Sequence, residues 1–180
     1  MLNSIVGLLG EGGGVANSYE SIATVTLGSS QSDITFSSIA GTYKHLQIRG
    51  IGFASSNGLT FRLRLNSDTT SSYATHYLVG DGASVSAGAI TSTTSIIAGT
   101  APESTTIAGA LVCDILDYAN VNKNKTTRSF AGADMNGSGG YATMYSGVWL
   151  KTDAVTSVTL TLLANSFTAG STFALYGIKG

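Results

Sequence analysis

Charge is scarce in this sequence. Lys and Arg number 9 and Asp and Glu 10 among 180 residues, 11% in all and a formal net charge of -1, where soluble domains usually carry about 25%. No cluster of Lys and Arg interleaved with aromatics occurs, so nucleic acid is not expected as a partner. There is a single cysteine, Cys113, which excludes an intrachain disulfide, and no Cys/His spacing suggests zinc. Within "ALVCDIL" Cys113 reads as a small buried hydrophobe rather than a reactive thiol. Proline occurs once, at Pro102. No run approaches the ~20 apolar residues of a membrane span, and none keeps helical spacing over ~11 residues, so helix is at most a minor component.

Catalytic and metal-binding types are equally thin. His45 and His76 are the only histidines. A Ser/His/Asp set can be written down from His76, Asp81 and one of many serines, but no GxSxG elbow supports it. Two carboxylates across a cleft would be needed for a glycosidase, and no spacing marks such a pair. Asp114 and Asp117 read as local partners of the "DYANVNKNKTT" turn, and no D-x-D-x-D-G calcium loop is present. The reading is therefore not an enzyme, with no cofactor and no metal.

What is abundant is glycine (23), serine, threonine and short apolar runs. Surface polarity supplied by uncharged residues is unusual in an isolated monomer, which relies on charge to stay soluble. Coverage by copies of itself or by a partner is expected. The strand candidates are "SYESIATVTL", "SDITF", "YKHLQIRGIGF", "LTFRLRLN", "YATHYLVG", "TIAGALVCDILDY", "TRSFAGAD", "YATMYSGVW", "SVTLTLL" and "TFALYGI". "LTFRLRLN" alternates most cleanly, with Leu59, Phe61, Leu63 and Leu65 on one face. In "YKHLQIRGIGF" the apolar phase changes at Gly50, which predicts a β-bulge or bend there. "ALVCDIL" and "TFALYGI" read as strands covered on both faces, and the chain is expected to end inside its own sheet. "GDGASVSAGAITSTTSIIAGTAPEST" reads as a long projecting loop or hairpin. Nine to eleven short strands joined by Gly/Ser/Asn turns predict an all-β protein, an antiparallel jelly-roll-like β-sandwich over residues 18–180.

Residues 1–17 read differently. Leu2, Ile5, Val6, Leu8 and Leu9 form an apolar cluster and "GEGGGVANS" a glycine-rich tether. There is no basic n-region and no A-x-A site, so a signal peptide is not predicted. An apolar tip on a flexible tether predicts an anchoring arm that docks into a partner or a neighbouring subunit. The tyrosines Tyr73, Tyr77, Tyr118, Tyr141 and Tyr145 are candidates for a sugar-stacking surface, or for core and subunit contacts. Arg49, Arg62 and Arg64 are expected to project from sheet faces.

The segments "SYESIATVTLG", "TFSSIAGTYKHLQIR", "NSDTTSSYATHYLVGDG", "DILDYANVNKNKTTRS" and "STFALYGIKG", spread from Ser18 to Gly180, resemble a family of small tailed-bacteriophage virion proteins. The resemblance implies a structural component of the phage particle, commonly a minor tail or virion protein, and brings no catalytic residues with it. Two roles follow as expectations. The first is a capsid decoration (cement) protein, a homotrimer on the major capsid protein at the particle surface, assembled in the host cytoplasm. The second is a tail-tip or fibre component contacting a host glycan. No membrane partner is implied.

Overall fold

The computed structural model describes residues 18–56, 60–101, 104–136 and 139–180. The arm residues Leu2, Ile5, Val6, Leu8 and Leu9, together with Leu59 and Pro102, lie outside the described residues. Twelve strands follow one another: β1 (Tyr19–Thr26), β2 (Asp33–Phe36), β3 (His45–Gly52), β4 (Thr60–Leu65), β5 (Tyr73–Gly80), β6 (Val85–Thr93), β7 (Ile96–Thr100), β8 (Gly109–Leu116), β9 (Lys125–Asp134), β10 (Gly140–Trp149), β11 (Val158–Leu162) and β12 (Thr172–Ile178). They form an eight-stranded sheet ordered β1-β12-β3-β8-β9-β10-β5-β6 and a four-stranded sheet ordered β2-β11-β4-β7. Every pairing is antiparallel.

The topology becomes simple when β5, β6, β9 and β10 are set aside. The eight remaining strands pair first with last, β1 with β12, then β2 with β11, β3 with β8 and β4 with β7. That is one long hairpin rolled into two sheets, a jelly roll. The other four strands are two inserted pairs, and both continue the large sheet beyond β8. The protein is thus an antiparallel jelly-roll sandwich with one sheet extended to twice the width of the other.

Local pattern accounts for most of the core. In β4, Phe61, Leu63 and Leu65 are fully buried while Thr60, Arg62 and Arg64 face outward, half-covered. Against them pack Ile34 and Phe36 of β2, Val158, Leu160 and Leu162 of β11, and Leu46, Ile48, Leu111, Cys113, Ile115, Phe173 and Leu175 of the large sheet. Phe61, Phe167 and Phe173 form an aromatic cluster with centroids 5.4–6.2 Å apart. Burial pushes the Cys113 thiol up to about 12, so it is an inert core residue.

Three expectations need correction. Gly50 marks no bulge: β3 stays in unbroken register with both β12 and β8. Gly50 continues the inward row of Leu46 and Ile48, and a Cβ there would lie 2.3 Å from the Thr172 carbonyl oxygen and 2.4 Å from Phe173 Cδ1. The glycine makes room for the Phe173 ring, while Ile51 simply faces outward. Second, β8 is buried on one face only, since Leu111, Cys113 and Ile115 are inside while Ala110 and Val112 are exposed. β12 is intermediate, with Phe173, Ala174 and Leu175 buried and Tyr176 and Ile178 half-covered. Third, the segment after Gly80 is not a loop throughout. It supplies β6 at the edge of the large sheet and then β7, of which Ile96, Ile97, Ala98 and Gly99 are buried in the small sheet.

Candidate docking face

β7 is an edge strand lying across β9, β10 and β5, and its position dictates the side chains beneath it. A Cβ on Gly147 of β10 would lie 2.4 Å from Ile96 Cγ2, so the sheets approach too closely there for any larger residue. The free backbone edge of β7 also needs partners, because a buried N–H left unpaired is costly. Ile97 N donates to Thr75 Oγ1 (3.2 Å), and Thr100 N donates to Thr143 Oγ1 (3.5 Å), which itself donates to the Ala131 carbonyl (3.0 Å). Several inward positions of the extension are consequently small and polar, with Thr75, Thr127, Ser129 and Thr143 buried, while Tyr73, Tyr145 and Trp149 are the large side chains buried on the same face. Thr127 Oγ1 and Ser129 Oγ have no hydrogen-bond partner among the described residues.

The outward face carries large apolar side chains as well. Cross-strand register aligns Val112 with Phe130, Phe130 with Met144, Met144 with Leu78 and Leu78 with Ala87, a single row over β8, β9, β10, β5 and β6. Phe130 is 58% exposed and Met144 54%, with Leu78 and Val112 also open. Beside this row runs one of small residues, Ala110, Gly132, Ala142 and Gly80, bounded by Ile51 at one end and exposed Val85 at the other. A shallow depression of about 640 Å³ lies along that row. Two smaller ones, each about 260 Å³, adjoin Phe130.

On the other flank the row is polar: Gln47, Asp114, Arg128, Ser146 and His76 stand opposite one another in register. Gln47 Nε2 donates to Asp114 Oδ1 (2.6 Å), Arg128 Nη2 lies 3.4 Å from Asp114 Oδ2, and Arg49 Nε donates to Gln47 Oε1. The Arg49 guanidinium sits over the rings of Tyr19 and Tyr176, 5.4 and 6.0 Å from their centroids.

The other candidates do not converge on this face. Tyr73 and Tyr118 are fully buried and Tyr145 nearly so, and Tyr77 packs against Tyr145 at 5.9 Å. The Tyr73 hydroxyl bonds to the Leu65 and Asp68 carbonyls, and burial pushes it up to about 12. Tyr141 is half-covered beside the depression of about 640 Å³. A tyrosine platform is therefore not formed, and the core reading of these residues holds for three of the five. Arg62 Nε donates to Thr60 Oγ1 and Arg64 Nε to the Thr94 carbonyl. His45 Nδ1 accepts from the Asp117 amide (3.0 Å). His76 lies five residues along from Asp81, roughly 16 Å at strand rise, and Asp81 is spent on the β5–β6 turn, accepting from Ala83 N, Ser84 N and Ser84 Oγ.

Two further carboxylates are structural. Asp117 pairs with Lys123 (2.9 Å) and Lys44 (3.1 Å), whose hydrogen bonds hold it down at about 2. Asp68 accepts from Trp149 Nε1 (2.7 Å), Thr70 N and Thr70 Oγ1, and pairs with Lys151 (3.0 Å). Its burial raises the carboxyl, but these bonds together overcome that and hold it well below the usual range. Among the described residues no group of three or more His, Cys, Asp or Glu is placed to hold a metal ion.

The outward placement of Phe130, Met144 and Leu78 escaped the sequence reading. In "TRSFAGAD" the only large apolar residue invites an inward assignment. A signal was present, however, because Arg128 and Phe130 have the same parity, so a strand that keeps its arginine in solvent must expose the ring as well.

Fold and face define a class, a jelly-roll sandwich with an open apolar surface on its wider sheet. No protein-family model and no curated protein matches the chain. Among solved structures it is similar to an exo-inulinase from Aspergillus awamori, at 15% identity and TM-score 0.43 over 89% of this chain, and it spans only 29% of that enzyme's length. It is also similar to the galectin LEC-6 of Caenorhabditis elegans, at 9% identity and TM-score 0.35, over 93% of this chain and 100% of that one. Likenesses this distant carry no argument about activity.

Proposed function

We propose that this chain is a structural protein of a tailed-phage particle, a decoration protein that lays the outward face of its large sheet on the head surface. The observation that carries the reading is the outward row Val112, Phe130, Met144 and Leu78, large apolar side chains exposed side by side across β8, β9, β10 and β5. Exposed rows of this kind mark interaction surfaces. Burying each of Phe130, Met144 and Leu78 contributes about 1.5–3 kcal/mol before ordering costs. The low charge and the virion-protein resemblance support the same reading. The apolar segment bearing Leu2, Ile5, Val6, Leu8 and Leu9 would act as a second anchor.

The test is copy number in purified particles, by quantitative mass spectrometry against the major capsid protein. Hundreds of copies are expected, together with loss of particle binding by the soluble Phe130→Asp/Met144→Asp double variant. A second reading, a tail-tip component contacting a host glycan, is favoured by the polar row Gln47, Asp114 and Arg128 bordering the Phe130 ring. A handful of copies and unchanged particle assembly by the double variant would replace the first reading with the second.

A further inference from the structure

The two sheets have four edge strands, and three are protected by recognisable means. β1 is broken by a register shift between Ser21 and Ala23 and carries the Glu20–Lys179 ion pair. β2 has four residues and begins with Asp33. β7 is buried, and its Ile97 and Thr100 amides are taken up by threonines of the opposite sheet. β6 has none of these devices between Val85 and Ile90. It is nine residues long, without charge or proline, and holds regular register from Val85 to Ile90 against Gly80 to Thr75, with its only irregularity at the far end. Among the described residues only β5 pairs with it.

We propose that the free edge of β6 pairs with β6 of a second copy of this chain, antiparallel about a twofold axis. A bare strand edge presents alternating N–H and C=O groups that only another strand satisfies in series. The sequence from Ser84 to Ser92, Ser-Val-Ser-Ala-Gly-Ala-Ile-Thr-Ser, carries no charge, and Ala87 and Ala89 flank Gly88 symmetrically. An antiparallel copy about Gly88 sets Ala87 against Ala89, with Ser86 meeting Ile90, and brings no charge or proline to the seam, a self-complementary contact of the isologous kind. With the axis perpendicular to the sheet, Ala87 and Ala89 stay on the outward face in both copies. Ala87, at the end of the row Val112, Phe130, Met144, Leu78, then stands opposite Ala89 of the second copy, which is in register with His76, and the two large sheets become one of sixteen strands.

The mass of the full-length protein across micromolar concentrations, by light scattering after gel filtration, tests this. A dimer is expected. The Ala87→Lys/Ala89→Lys variant places like charges opposite one another on an exposed surface. It is expected to weaken the dimer about tenfold or more while keeping the wild-type far-ultraviolet spectrum and cooperative unfolding. Hydrogen exchange gives a readout independent of folding: amides of Val85–Ile90 that point away from β5 should slow as concentration rises. A monomer at every concentration, a trimer with these amides unprotected, a Lys variant as associated as wild type, or protection independent of concentration would each overturn the proposal.

Discussion

Lys125 is a fully buried lysine whose ammonium replaces a missing stretch of backbone pairing. Its Nζ donates to the carbonyls of Asn120 (2.6 Å), Lys123 (2.7 Å) and Thr152 (2.9 Å), tying the β8–β9 loop to the segment after β10. Burial pushes its pKa down, and charge-assisted hydrogen bonds offset the desolvation. Lys125→Met keeps the stem's packing but strands three acceptors, and should cost roughly 3 kcal/mol by urea denaturation. Gly50→Ala should cost about 2–3 kcal/mol, because its new methyl meets the Thr172 backbone, which has no way to swing aside. Asp68 sets the acid limit. Its carboxyl is held below its unfolded value, so its stabilisation is complete above about pH 4 and drains away as pH falls toward the folded value. The urea midpoint should therefore drop between about pH 4 and pH 2, and Asp68→Asn should be less stable at neutral pH with a shallower acid decline. None of these three roles is written in the sequence, because a lysine, a glycine and an aspartate near turns look the same whether solvated or enclosed.

Strands were legible wherever one face is apolar and the other polar, as in β4, and hard to orient where the pattern inverts. The stretch from Ser84 to Thr100 shows the limit. β6 offers small side chains and β7 a short apolar run, and only the jelly-roll crossover separates them into different sheets. β12 was read correctly as a strand held between neighbours, with β1 on one side and β3 on the other. A chain cut before Phe173 loses Phe173 and Leu175 from the core, leaves β1 without a partner and bares one edge of β3. It should show no cooperative thermal transition; a soluble truncated protein that unfolds cooperatively would mean that the small sheet and β8 suffice.

For the whole molecule, alternation and turn residues carried the all-β class and the sandwich, but the doubled width of one sheet was hidden, since insertion of two strand pairs leaves no local mark. That width creates the outward apolar row, so the surface with most to say about function was the one least visible in the sequence. Phe130→Asp/Met144→Asp should lower the unfolding free energy by about 1 kcal/mol, because the two carboxylates face one another across β9 and β10, while unfolding stays cooperative and solubility, measured by precipitation with ammonium sulfate, rises.

The nesting of first strand with last also sets an order in time. β1 waits for β12, β2 for β11 and β3 for β8, so during synthesis the ribosome releases most of the chain before any of these sheets can be zipped. Closure is then a search over distant pairings, slow by the standards of helical proteins. Until it is complete, the apolar strands are open to other nascent copies. The protein is thus most vulnerable in the interval between the emergence of its final strand and the closing of the roll.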